Sequence, residues 1–140
     1  CHGVQWLVQA ARIISERAQA AGDTETAARY RETSMRLWWK ISPLSHATPE
    51  EIENYGGQPN KQPADILAGP YPGRMIWNGY TGAAGWMLRQ AYEGVLGFKL
   101  KDGEVLPPSD LRAPRGDLIC RRLVRSASRA SDGTAHLSLN

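Results

Sequence analysis

The run Gly73-Arg74-Met75-Ile76-Trp77-Asn78-Gly79-Tyr80-Thr81-Gly82-Ala83-Ala84-Gly85-Trp86-Met87 decides how the chain is read. Its first half is dense in Gly and aromatic residues, which favours a loop, and its second half opens an amphipathic helix. Ala83, Met87 and Ala91 share one face with Trp86 beside it, predicting a helix over about 81–96 with Gly97 just past its end. Thr81-Gly82 then falls at the helix start, where backbone N–H groups lack partners and the positive end of the dipole favours an anion. A hydroxyl at Thr81 and the absent side chain at Gly82 suit the close approach of a phosphate. A Thr-Gly pair in this position also serves as a plain helix cap, and both readings stand at this point.

Upstream, Val4, Leu7, Val8, Ala11, Ile14 and Ala18 recur at helical spacing and predict a helix over about 3–20. Ala21-Gly22-Asp23 breaks it. Asp23 or Thr24 is placed to cap a second helix running through Trp39, with Ala27, Tyr30, Ser34, Leu37 and Trp38 on one face. So short a connection predicts an antiparallel helical hairpin. Thr48-Pro49-Glu50-Glu51 has the form of a third helix start, with Thr48 as N-cap and Glu51 placed for a capping box, and Gly56-Gly57 ends it early. Residues 55–80 are expected to form a long ordered loop, and long loops usually carry function. Segments 98–106 and 118–124 have the composition of strands, and the Ser, Arg, Asp and Gly content from Ser126 onward suggests a frayed tail.

Composition narrows the class of protein. The 140 residues suffice for one compact domain, and a mean hydropathy of −0.46 is that of a soluble globular chain. No run approaches the roughly 18 apolar residues of a membrane span, and no signal peptide is recognisable. Cys1 and Cys120 are the only cysteines and lack metal-ligand spacing, so a metal site is not expected and reduced thiols in the cytosol are the default. The chain begins on Cys1, with a helical pattern close behind it, and reads as part of something longer. A net charge of +3 hides an uneven distribution, with Arg112, Arg115, Arg121, Arg122, Arg125 and Arg129 crowded near the C-terminus. No aromatic residue follows Phe98, so that cluster lacks the stacking partners of a nucleic-acid surface, and a solvated strand or tail is expected there.

Five Trp residues exceed what a simple core of this size requires. Core packing is the expectation for Trp6, Trp38 and Trp86. For Trp77, in the loop, ligand-facing and structural readings weigh equally. Arg74 is a secondary candidate, as a cation near a bound phosphate or as a brace for the loop, and His46 is expected to be structural.

Several blocks, taken in order, carry a family resemblance. His2-Gly3-Val4-Gln5-Trp6-Leu7, Ile41-Ser42-Pro43-Leu44-Ser45-His46-Ala47, Gly73-Arg74 with Trp77, Tyr80-Thr81-Gly82-Ala83-Ala84-Gly85-Trp86-Met87 and Glu93-Gly94-Val95-Leu96-Gly97 resemble the last helical part of glycoside hydrolase family 94. Within that family of inverting β-glucan phosphorylases, residues 1–111 look most similar to the phosphorylase-like C-terminal region of cyclic β-1,2-glucan synthases.

The resemblance implies a mainly α fold: closing helices of an (α/α)6 barrel over residues 1–97, the start of a small β domain over 98–125, and a disordered tail over 126–140. It implies that inorganic phosphate is the co-substrate, with no metal or organic cofactor, and that His2, Thr81 and Gly82 match the family's phosphate-binding residues. Phosphate attacks the anomeric carbon while a carboxylic acid protonates the leaving oxygen. That acid belongs to a motif upstream of the His-Gly block, so the chain by itself is expected to be inactive. The family's Glu-Pro-Tyr segment falls on Gln58-Pro59-Asn60 without gaps or on Glu53-Asn54-Tyr55 with an insertion, and both alignments remain open. Expected partners are a β-glucan oligosaccharide, phosphate and the remainder of the parent domain, without nucleic acid or membrane contact by this segment; the expected location is cytoplasmic, which also suits an inner-membrane parent with this region on its cytoplasmic side. A non-catalytic carbohydrate-binding or helical scaffold module is the alternative. An incomplete barrel exposes apolar helix faces, so marginal stability or self-association is also expected.

Overall fold

A computed structural model describes residues 1–101, 104–106, 125–129 and 135–139, with side chains for 1–99 and 106. The fold is mainly α. Helix α1 spans His2–Ala20 and α2 spans Thr24–Ile41. Gly22, at φ 80°, makes the turn between them, and Asp23 caps α2 by accepting from the Thr26 N–H at 3.0 Å. That bond holds the Asp23 carboxyl below its ordinary value of 3.8.

The two helices run antiparallel. Ser34 Oγ donates to the Val8 carbonyl at 2.9 Å and Ser15 Oγ to the Ala27 carbonyl at 2.7 Å, so contacts advance along α1 as they recede along α2. Val8, Ala11, Ala27 and Trp38 are buried between them, whereas Leu7 and Ile14 remain exposed. The apolar arc of α1 is wider than α2 alone covers.

A 3-10 turn at Pro43–Ser45 leads to α3, Ile52–Tyr55. The capping box expected at Thr48 does not form. Instead the Thr48 carbonyl accepts from the N–H groups of Glu51 at 3.1 Å and Ile52 at 2.9 Å, and the chain turns on backbone bonds before its single helical turn begins. Gly56, at φ 66°, closes that turn. Tyr55 is buried and stacks on His46 with ring centroids 5.6 Å apart, and burial raises its phenol above the ordinary 10.0. Gly57 admits no side chain, because a Cβ would lie 2.7 Å from Tyr55 Cε1 and 2.8 Å from Met75 Cγ.

The expected loop carries a short ladder. Strands β1 (Asp65–Ile66) and β2 (Met75–Ile76) pair antiparallel, extended by bonds between Ala64 and Trp77 and between Leu67 and Arg74, each 2.8 Å. Gly73 turns the chain at φ 84°. The connection docks on the helices. Gln62, buried, donates from Nε2 to the Ile41 carbonyl at 2.8 Å, and the backbone nitrogen of Cys1 donates to the Ala64 carbonyl.

Helix α4 spans Thr81–Gln90 and continues as a π turn over Ala91–Val95, where the Leu96 N–H bonds to the Ala91 carbonyl at 2.9 Å. The expected α-helical end is thus replaced by a wider turn. It carries Glu93 to a place where Arg12 reaches it at 2.6 Å and Arg89 at 2.9 Å. Gly97, at φ 72°, follows as the sequence predicts. His2 with Gly82, Gln5 with Met87 and Arg12 with Glu93 advance in the same direction, so α4 runs parallel to α1. Trp38 joins all three helices, buried between them and donating from Nε1 to the Met87 carbonyl at 3.2 Å.

Strands β3 (Lys99–Lys101) and β4 (Glu104–Leu106) pair antiparallel, as do β5 (Arg125–Arg129) and β6 (Ala135–Leu139). The second hairpin falls in the stretch read from composition as a tail. The predicted strand at 118–124 and the remaining arginines of the C-terminal cluster lie outside the described residues. Among the described residues no helix is long and apolar enough to cross a membrane.

Candidate functional site

Parallel packing brings the start of α1 to the start of α4. His2 is the first residue of α1, and Thr81 and Gly82 are the first two of α4. The His2 ring lies against Gly82: a Cβ there would sit 3.1 Å from His2 Cε1 and 3.6 Å from Nδ1. Any larger residue at position 82 would therefore displace the imidazole. Three residues proposed from sequence thus lie together, although 79 positions separate the His-Gly block from the Thr-Gly pair.

The hydrogen-bonding capacity of this corner is unspent. The N-cap of α4 is Tyr80, whose side chain makes no capping bond, and the first helical acceptor is the Tyr80 carbonyl, bonded by the Ala84 N–H at 2.9 Å. The N–H groups of Thr81, Gly82 and Ala83 precede that bond and have no helical partner. Among the described residues neither the Thr81 hydroxyl nor a ring nitrogen of His2 makes a hydrogen bond, and neither helix has an acidic residue in its first turn. Two positive helix ends and an imidazole therefore meet; Asp65 pairs with the Cys1 nitrogen at the start of α1, while no acidic residue lies in the first turn of α4.

The secondary candidates are placed differently. Arg74 is exposed and its guanidinium lies beside Gly56, Cζ and Nη2 each 3.9 Å from where a Cβ would stand. Trp77 is 71% exposed and, with φ 50°, has a left-handed backbone that aromatic residues seldom adopt. Its carbonyl belongs to the β1–β2 ladder, so the strain is held by the loop. No hydrogen bond, ion pair or ring contact among the described residues joins Arg74 or Trp77 to His2.

Two contacts at this corner are not part of the sequence reading. Trp6 was expected in the core but is 58% exposed, its ring set edge-on to His2 with centroids 5.5 Å apart. Their i, i+4 spacing carries that signal, since such pairs share a helix face. Asp65, on β1, has Oδ1 3.2 Å from the Cys1 nitrogen, next to His2. Nothing local in the sequence marks that contact across 64 positions. Among the described residues no group of three or more His, Cys, Asp or Glu side chains is arranged to hold a metal ion. An open groove lined by Ser15, Glu16, Arg31, Glu32 and Glu93 lies toward the other end of α1. Arg12, at its edge, is ten residues from His2, about 15 Å along the helix.

No family model matches the chain, and no solved structure matches it. It is similar to cyclic beta-(1,2)-glucan synthase NdvB of Rhizobium meliloti (strain 1021), with 36% identity over 77 residues, or 54% of this chain. The match spans about 3% of the length of that relative. At that level of identity, the match supports a relation between this chain and the cyclic β-(1,2)-glucan synthases.

Proposed function

We propose that the chain carries part of a phosphate site in a carbohydrate-active enzyme of the phosphorylase type, the class that the glycoside hydrolase family 94 resemblance implies. The observation that carries this reading is the His2 imidazole lying against Gly82 at the uncapped start of α4. An imidazole donor, a hydroxyl and helix-start N–H groups suit a tetrahedral dianion and go on suiting it as charge shifts during reaction. The substrate would be a β-linked glucan, β-1,2-linked by analogy with the cyclic beta-(1,2)-glucan synthase to which the chain is similar, and phosphorolysis would release α-glucose 1-phosphate. Trp77 and Arg74 are the sugar-side candidates, with phosphate as co-substrate and no metal or organic cofactor. The general acid belongs to a motif this chain does not contain, so the chain alone supplies phosphate binding without turnover.

Titration with inorganic phosphate, followed by NMR of the backbone amides and the His2 ring, tests the site. Saturable shifts are expected at His2, Thr81, Gly82 and Ala83, weakened in His2→Ala and in Thr81→Val. Equal responses in wild type and both variants, or no saturable response, would overturn the assignment. Retained glucan binding without any phosphate response would favour the scaffold or sugar-binding alternative.

A further inference from the structure

Resting on the phosphate reading above, we infer that Trp6 is a positioning residue for His2, holding the imidazole over the first turn of α4. Trp6 is one helical turn along from His2 on the same face of α1, and it meets the imidazole edge-on at 60° between ring planes. On the α4 side, the ring's Cε1–Nδ1 edge faces Gly82 at a distance that leaves no room for a methyl group. His2 is half-buried and makes no hydrogen bond to any described residue. Its rotamer is therefore set by these two contacts and not by a polar partner. Most binding histidines are oriented through a bond on one ring nitrogen. Here the orienting element is a ring contact, which commits neither nitrogen to a hydrogen bond within the described residues.

The exposure of Trp6 supports the same assignment. At 58% exposed its indole gives little to the core, whose buried members are Val8, Trp38, Ile41 and Met87 beside Cys1. An aromatic pair contributes modestly beyond its area burial, and that contribution here acts on the orientation of a single ring. Without the indole, the imidazole at the exposed start of a helix would sample several staggered rotamers, only some of which face Gly82. The loss should then appear in phosphate affinity rather than in folding.

The experiment compares the 140-residue chain with Trp6→Ala and Trp6→Phe, each titrated with inorganic phosphate and melted by circular dichroism. The His2 ring C–H resonance, assigned by its loss in His2→Ala, reports ring-current contact with residue 6. Trp6→Ala is expected to weaken phosphate binding about three- to tenfold, the range an aromatic pair sets. It should also move the His2 resonance toward that of a free imidazole and leave the melting temperature little changed. Trp6→Phe, which keeps an aromatic edge, is expected to restore most of the affinity and part of the shift. Should Trp6→Ala fail to fold, Trp6→Leu keeps apolar bulk without a ring current and carries the same comparison. Unchanged affinity and an unmoved His2 resonance in the Ala or Leu variant would overturn the inference. So would equal weakening in the Phe and Ala variants. A wild-type chain that ignores phosphate would overturn the proposed function instead, and the His2 resonance would still decide whether Trp6 holds the ring.

Discussion

The two ends of α4 rest on the same helix, α1, and are built on opposite principles. At the far end, Arg12 bridges Glu16 and Glu93, Arg89 adds a second bond to Glu93, and Gln90 is fully buried beneath the π turn. Charges there are paired within the chain. At the near end, Thr81 and Gly82 are exposed, Tyr80 gives no side-chain cap, and His2 approaches without a hydrogen bond. A pair satisfied internally contributes to stability and offers little to a ligand, whereas groups left open add little to stability and remain available. The far end ties α4 to α1 through the Arg12–Glu93 pair, adding to the Gln5 and Trp38 bonds to Met87 along the register that brings Gly82 to His2.

The largest effect is expected where both ends are joined. Trp38→Ala removes a buried indole and its bond to the Met87 carbonyl, at a cost of about 3–5 kcal/mol. Chemical denaturation should show it, and phosphate binding should disappear with the fold. Breaking the far end alone is the sharper test. Arg12→Ala removes one of the two cationic partners of a mostly buried Glu93, leaving Arg89, and is expected to cost about 1–2 kcal/mol. If the far end sets the register, this variant also loosens the contact between His2 and Gly82. Phosphate affinity unchanged at full occupancy of the folded state would show that the near end assembles independently.

Two smaller perturbations separate stability from site geometry. In Gly82→Ala the new Cβ would meet His2 Cε1 at 3.1 Å, so the ring must move, while alanine is the better helix former. Stability should change by less than about 1 kcal/mol while phosphate affinity falls, a divergence that melting and titration on one sample would reveal. The smallest effect concerns the α1–α2 turn, remote from both ends. The Thr26 N–H lowers the Asp23 pKa in the folded chain, so its contribution is present at neutral pH and is lost as acid protonates the carboxylate, below about 4. Asp23→Asn keeps a good N-cap without a titrating group, and the acid limb of its stability curve should be flatter than that of wild type.

Local patterns were legible where the physics is local. Apolar spacing marked α1, α2 and α4, the Asp23-Thr24 pair announced the start of α2, with the structure choosing Asp23 as the cap, and Gly97 marked the chain's exit from the last helix. The β1–β2 ladder was not legible, since strands of two residues carry no alternation to read. The capping box at Thr48 failed although its residues were right, because its carbonyl bonds the chain into a turn first. Trp6 was misassigned for a related reason: a helical period shows that residues share a face, but not which neighbour covers it.

By itself the sequence determined where α1, α2 and α4 run and which residue types suit a phosphate at Thr81-Gly82. Those properties follow from backbone sterics, caps and spacing within a few residues. Only the tertiary structure decided that α4 lies parallel to α1, that His2 therefore rests on Gly82, and that Trp6 stands beside the imidazole while Arg74 lies against Gly56. These outcomes depend on packing between segments about 80 positions apart, where Met87, Trp38 and Gln5 set one register among many that the helical pattern alone permits.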